Sequence, residues 1–262
     1  MRYPRIAIKQ FSTTFAAPWL MKLDDNREYI VKFANEKKDS SIMGEWICGK
    51  LARKLDLPMV EFDAVQIDQA FINGTTELIA RLIPSGNHFA AAYVNGSTNL
   101  SSEIARSITI DKIENAEKIP GMIAFDIFVC NVDRSPPNSL IAPVDEGRQR
   151  YNYFLIDHGL CFGGHAWNEA SLNNLPMQPC GIPWNTSGIS GPESFTPIIE
   201  QLKSLERKDF QDMVDSIPLD WNANTKDMTK LVDVLVNRSE DQILNVLEGI
   251  RRSDTSRFPD WR

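Results

Sequence analysis

Several ingredients are scarce in this chain, and each scarcity removes a class of function. It has only four cysteines and three histidines. Cys48, Cys130, Cys161 and Cys180 are far apart, with no C-x-x-C and no histidine pair at zinc-finger spacing, so a transition-metal site and a disulfide framework are both disfavoured. Reduced, buried thiols in a reducing compartment are the simpler reading. No window holds the roughly 18–20 uninterrupted apolar residues of a membrane-spanning helix. The opening segment MRYPRIAIKQ lacks the apolar stretch and small-residue cleavage site of a secretory signal. The expected location is therefore the cytoplasm. Basic charge is also short: 28 Lys and Arg stand against 35 Asp and Glu, a net −7 that argues against a protein built to coat nucleic acid. Internal repeats and low-complexity tails are absent.

What remains is a chain of 262 residues, 42% hydrophobic and 24% charged, long enough for one large domain or two unequal lobes. Short apolar runs at residues 5–10, 19–23 and 28–33 read as strands, the last two joined by the turn Asp24-Asp25-Asn26. Ile42, Trp46, Ile47, Leu51 and Leu55 recur at helical spacing and predict a helix over 40–55, ended by Leu57-Pro58. Two more strands are expected at 60–67 and 77–82. Pro84-Ser85-Gly86-Asn87 then breaks the pattern and marks the expected lobe boundary, giving units 1–83 and 84–262. Beyond it the reading is a helix over 115–130 and short strands at 139–142 and 153–156. A Gly-, Pro- and Asn-rich stretch over 159–197 follows, then amphipathic helices over 197–217 and 225–251. A stretch of that length without regular structure often carries function. The order is α+β, not the alternation of a doubly wound sheet.

The chemistry concentrates in Asn131-Val132-Asp133-Arg134-Ser135-Pro136-Pro137-Asn138 and Leu155-Ile156-Asp157-His158-Gly159. An Asp, an Asn five positions on, and a second Asp ending an apolar strand match the spacing of a kinase catalytic loop and its metal-binding Asp. Phosphoryl transfer needs oxygen ligands for Mg²⁺ and a carboxylate beside the incoming hydroxyl. Asp133 is then the hydroxyl-orienting group, with Asn138 and Asp157 as metal ligands. A polar turn selects the same residue types, and that alternative stands. Lys32, inside Tyr29-Ile30-Val31-Lys32-Phe33, is the candidate phosphate-binding lysine, and Glu45 on the next helix its candidate partner. Solvent-facing positions are the ordinary reading of each. The stretch where a glycine-rich phosphate loop would lie has no glycine, only Ser12, Thr13 and Thr14, whose hydroxyls and amides can still cradle a phosphate.

Four pieces in order resemble the HipA-like kinases, a bacterial branch of the protein-kinase-like fold. They are Y-I-V-K-F, G-E-W-I-C-G-K-L-A-R-K-L with L-P-M-V after it, F-D-I-F-V-C-N-V-D-R-S-P-P-N-S-L-I, and F-L-I-D-H-G-L-C-F-G. The last two are also similar to the type II phosphatidylinositol 4-kinases. The likeness spans roughly residues 5–165. It departs from the common kinase pattern in the glycine-free loop, in lacking H-R-D, and in His158 where D-F-G has Phe. The resemblance implies a two-lobed protein-kinase-like fold, with a strand-rich N-lobe and a mainly helical C-lobe. It implies ATP and Mg²⁺ as cofactors, Lys32 on phosphate, Asp133 as the catalytic Asp, and Asn138 and Asp157 on the metal. Nucleotide is expected between the lobes near Arg81, Leu82 and Ile83. A protein Ser/Thr substrate and an antitoxin-like partner protein are the implied partners. Inositol-lipid phosphorylation, or a binding role without turnover, are the competing readings.

Overall fold

The computed structural model describes residues 2–11, 17–34, 40–144 and 150–262. Along the chain come β1 (Pro4–Gln10), β2 (Trp19–Leu23), β3 (Glu28–Lys32), α1 (Ser41–Lys54), β4 (Phe62–Ile67), α2 (Gln69–Asn73), α3 (Thr76–Ala80) and β5 (Gly86–Ala92). Then follow β6 (Thr98–Asn99), α4 (Glu103–Arg106), α5 (Ile119–Phe128), β7 (Ser139–Pro143), β8 (Tyr151–Leu155) and α6 (Glu169–Leu172). The chain finishes with α7 (Thr196–Lys203), α8 (Arg207–Asp215), α9 (Thr225–Val236) and α10 (Glu240–Ser253).

The first five strands make one antiparallel sheet in the order β1-β2-β3-β5-β4. Alternation along β3 divides its side chains between two faces. Tyr29 and Val31 join Trp19, Met21, Leu23, Val65 and Ile67 in a small core closed by Ile72 of α2 and Leu78 of α3. The opposite face carries Ile30 and Lys32, paired across to Ala91 and Phe89, and looks toward α1 and the cleft.

Two expectations change here. Residues 77–82 form not a strand but the short helix α3 and its exit: Glu, Leu and Ala favour a helix, and five apolar-rich residues are too few for periodicity to decide. The break at 84–87 does not end the first lobe, because β5 begins at Gly86 and is bonded between β3 and β4. The link to the second sheet therefore falls after Ala92, through Tyr93–Ser97. His88 secures this region. Its Nδ1 accepts the Ala34 N–H at 2.9 Å and its Nε2–H donates to the Pro84 carbonyl at 3.0 Å.

In the second lobe α5 is buried on nearly every side, as a helix through the middle of a core must be. The three-stranded sheet β6-β7-β8 contributes Ile141, Tyr153 and Leu155 to the same core. The two helices expected at the C-terminal end are four. The first pair divides at Ser204–Glu206, where Glu206 and Asp209 form a capping box; the second divides at Asn237–Ser239, where Ser239 and Gln242 form another. A polar clasp joins the lobes away from the link: Asp220 accepts the backbone N–H of Asn87 at 2.6 Å, and the Trp221 indole donates to the Asn87 carbonyl at 2.7 Å.

Candidate active site

The β7–β8 hairpin sets the site. Ser139 pairs with Leu155, so Asn138, entering β7, lies beside Ile156 and Asp157, leaving β8. Residues 19 positions apart in the chain are thus brought together by strand pairing. Asn138 Nδ2 donates to the Asp133 backbone carbonyl at 2.9 Å and to its Oδ2 at 2.7 Å. That leaves the Asn138 amide oxygen open as a ligand.

Lys32 reaches this cluster from β3. Its Nζ hydrogen-bonds Glu45 Oε1 and lies 2.8 Å from Asp157 Oδ1. Glu45 is 2% exposed on α1, and its second oxygen accepts the His158 N–H at 3.0 Å. One helix side chain therefore holds both the lysine and the backbone next to Asp157. The close approach needs Gly44, whose Cβ, if present, would stand 3.1 Å from the His158 carbonyl. The Lys32 ammonium pulls the Asp157 carboxyl down to about 2. Burial alone would lower Lys32, but Asp157 and Glu45 outweigh it and hold the ammonium well above its usual range. Burial pushes the Glu45 carboxyl up, against the pull of Lys32. The result is a lysine fixed as a cation, with Asp157 fixed as a carboxylate that keeps 41% of its side chain open.

A cleft of about 810 Å³ lies between the lobes and collects Lys32, Glu45, Asp133, Asn138 and Asp157. At its other end are Ile30, Ala91, Ala92, Tyr93, Val94 and Leu140, an apolar slot at the inter-lobe link. Leu82 and Ile83 are not there. Leu82 is 86% exposed and Ile83 is packed in the small outer core, because α3 turns the chain away before β5 begins. Arg81 does line the cleft, but beside Phe33 rather than at the link. Its guanidinium donates to the Ala17 carbonyl at 2.6 Å and lies 5.6 Å from the Phe33 ring centre. Ser12, Thr13 and Thr14 lie outside the described residues.

Sequence reasoning missed the support underneath. Asp126 on α5 and Arg134 beside Asp133 form a completely buried ion pair, with Nε to Oδ2 at 2.7 Å. Asn131 joins it, donating to Asp126 at 2.8 Å and accepting the Asp133 N–H at 3.2 Å. The Gly- and Pro-rich stretch packs on the same residue. A Cβ on Gly181 would stand 1.8 Å from the Arg134 carbonyl oxygen, and the Trp184 ring lies 5.6 Å from the Arg134 guanidinium. The D-R pair in the motif was the available signal, but buried and exposed arginines read alike in a sequence.

A family model described as HipA-like kinase matches residues 6–249. No curated protein matches the chain. Among solved structures, the Helicobacter pylori proinflammatory kinase CtkA is similar over 94% of this chain and 97% of its own, with a TM-score of 0.62 and 12% identity. The Golgi casein kinase solved with Mn/ADP bound is similar over 98% of this chain and 73% of its own, at a TM-score of 0.48 and 9% identity. The likeness to CtkA is one of fold, the two-lobed α+β fold of kinases.

Proposed function

Because this chain belongs to the HipA-like kinase family, we propose that it is an ATP- and Mg²⁺-dependent kinase that phosphorylates serine or threonine hydroxyls of a protein. The observation that carries the reading is Lys32 joined at once to Glu45 and Asp157. A half-buried lysine held between two carboxylates is costly without a purpose, and a phosphate anion supplies one. The presence of all four of Lys32, Asp133, Asn138 and Asp157 counts against a binding module that has lost turnover.

The donor set suits a hard cation. Asn138 and Asp157 offer oxygens only, two ligands in a cleft open to phosphate oxygens and water, which is how Mg²⁺ is commonly held. When bound, the ion would neutralise charge on the transferring phosphoryl group. Asp133, whose carboxylate accepts from Asn138, would align the incoming hydroxyl and accept its proton as the new P–O bond forms and the γ-phosphoryl bond to the departing ADP breaks. The adenine fits the apolar slot at Ala91–Val94. Lys32 marks the phosphate end, and Arg81, at the Phe33 end of the same cleft, is assigned there as well. A protein acceptor and an antitoxin-like partner protein follow from the family resemblance; a lysate pull-down that returns no stoichiometric partner removes the latter.

The test is transfer of label from γ-labelled ATP, with Mg²⁺, to lysate proteins, with Asp157→Ala as control. Labelling by the wild type alone supports the proposal. A folded wild type that neither binds nucleotide nor labels any acceptor overturns it, and label found only in phosphoinositide vesicles overturns the choice of acceptor.

A further inference from the structure

Arg134 uses its whole hydrogen-bonding capacity. A guanidinium has five N–H groups in a rigid fork. Here Nε donates to Asp126 Oδ2 at 2.7 Å, and Nη2 to Asp126 Oδ1 at 3.1 Å and His158 Nε2 at 3.0 Å. Nη1 donates to the carbonyls of Asn138 and, at 2.8 Å, Ile156. Five donors meet five acceptors at a side chain with no exposure.

The identity of two acceptors matters more than the count. The Asn138 carbonyl belongs to one candidate metal ligand, and the Ile156 carbonyl to the peptide bond that leads into the other. Asp157 itself has φ 61°, a left-handed conformation that a residue with a side chain adopts only where its surroundings hold it. It is held on both sides: Arg134 takes the carbonyl before it, and Glu45 takes the N–H after it. Asp126, rooted in the buried helix α5, fixes the fork bidentately.

Resting on the kinase reading above, we propose that Arg134, seated on Asp126, is a positioning residue. It sets the spacing between Asn138 and Asp157, and so the affinity of the site for its divalent cation. It touches neither nucleotide nor acceptor. A lysine cannot replace it, since one ammonium cannot span the carboxylate and both carbonyls.

The experiment compares wild type with Arg134→Lys by calorimetry, titrating ADP at a series of Mg²⁺ concentrations, and adenosine separately. Supporting partners of metal ligands typically change metal affinity by about 10–100-fold. The expected result is a rise of that order in the Mg²⁺ concentration needed for half-maximal ADP binding, with adenosine affinity changed less than about twofold. A lysine variant with the wild-type Mg²⁺ requirement overturns the proposal. So does equal weakening toward adenosine, which would mark general loosening of the fold. If Arg134→Lys fails to fold, Asp126→Asn decides by the same comparison, because it keeps the side-chain shape but replaces one of the two carboxylate oxygens that seat the Arg134 fork. A raised requirement supports the proposal and an unchanged one overturns it. Absence of Mg²⁺-dependent ADP binding in the wild type would instead refute the nucleotide-site reading itself.

Discussion

The His88 imidazole is 1% exposed, and both ring nitrogens are engaged by backbone groups that require the neutral form. Burial pushes its pKa from the ordinary 6.5 down to about 4, against smaller upward pulls from the Pro84 carbonyl and Asp220. Between those two values the unfolded chain binds a proton that the folded chain refuses. The contribution to stability is therefore complete above about pH 6.5, falls as the pH drops, and is exhausted below about pH 4. At about 1.4 kcal/mol for each tenfold change in proton affinity, the ceiling is about 3.4 kcal/mol, of which about 2 kcal/mol is lost between pH 7 and pH 5. The perturbation is His88→Gln, which removes the titrating group and keeps polar atoms near the Ala34 N–H. Urea unfolding followed by tryptophan fluorescence at pH 7, 6 and 5 gives both stability curves. Whatever the variant costs at pH 7, the wild type is expected to lose about 2 kcal/mol more than the variant on going to pH 5. Parallel curves would refute the reasoning. The consequence reaches the site, because the N–H that His88 holds lies two residues beyond Lys32.

Other perturbations follow from single contacts. Glu45→Gln removes one of the two negative charges on Lys32 and leaves a single amide oxygen for both the ammonium and the His158 N–H; it is expected to lower kcat by about 10–100-fold, more than it raises KM for ATP, in steady-state assays. Arg81→Gln can still donate to the Ala17 carbonyl but lacks the charge; it should weaken ATP about tenfold while sparing adenosine, with partial recovery in Arg81→Lys. Gly181→Ala forces a methyl onto the Arg134 carbonyl and should cost about 3 kcal/mol in chemical denaturation, with a matching loss of turnover.

Strands β1 to β4, β7 and β8, helix α1 and the spacing of Asp133, Asn138 and Asp157 were legible because each is a local pattern, whereas β5 and β6 were not read. Glu45 was readable for the same reason: it lies on a helix whose apolar period is plain. Arg134 and Asp126 were not, since a charge buried by its partner differs from a surface charge only through contacts between distant segments. Leu82 and Ile83 were misplaced because an apolar run of five or six residues fits a strand and a helix turn equally well. The interruptions at Glu206 and Ser239 were visible in principle. Ser239-Glu240-Asp241-Gln242 is a capping-box sequence, but a continuous amphipathic pattern on either side obscured it.

The ionisable lining of the cleft has a consequence for the order of events. Among the described residues that line it, two cations, Lys32 and Arg81, face three carboxylates, Glu45, Asp133 and Asp157, a formal balance of −1. A bare polyphosphate entering a negative, partly enclosed space is repelled. On the proposed kinase function, nucleotide already complexed with a divalent cation would meet far less opposition, and the site would select the complex over its free components. Raising ionic strength should therefore narrow the difference between the two association rates, since screening relieves the free nucleotide most.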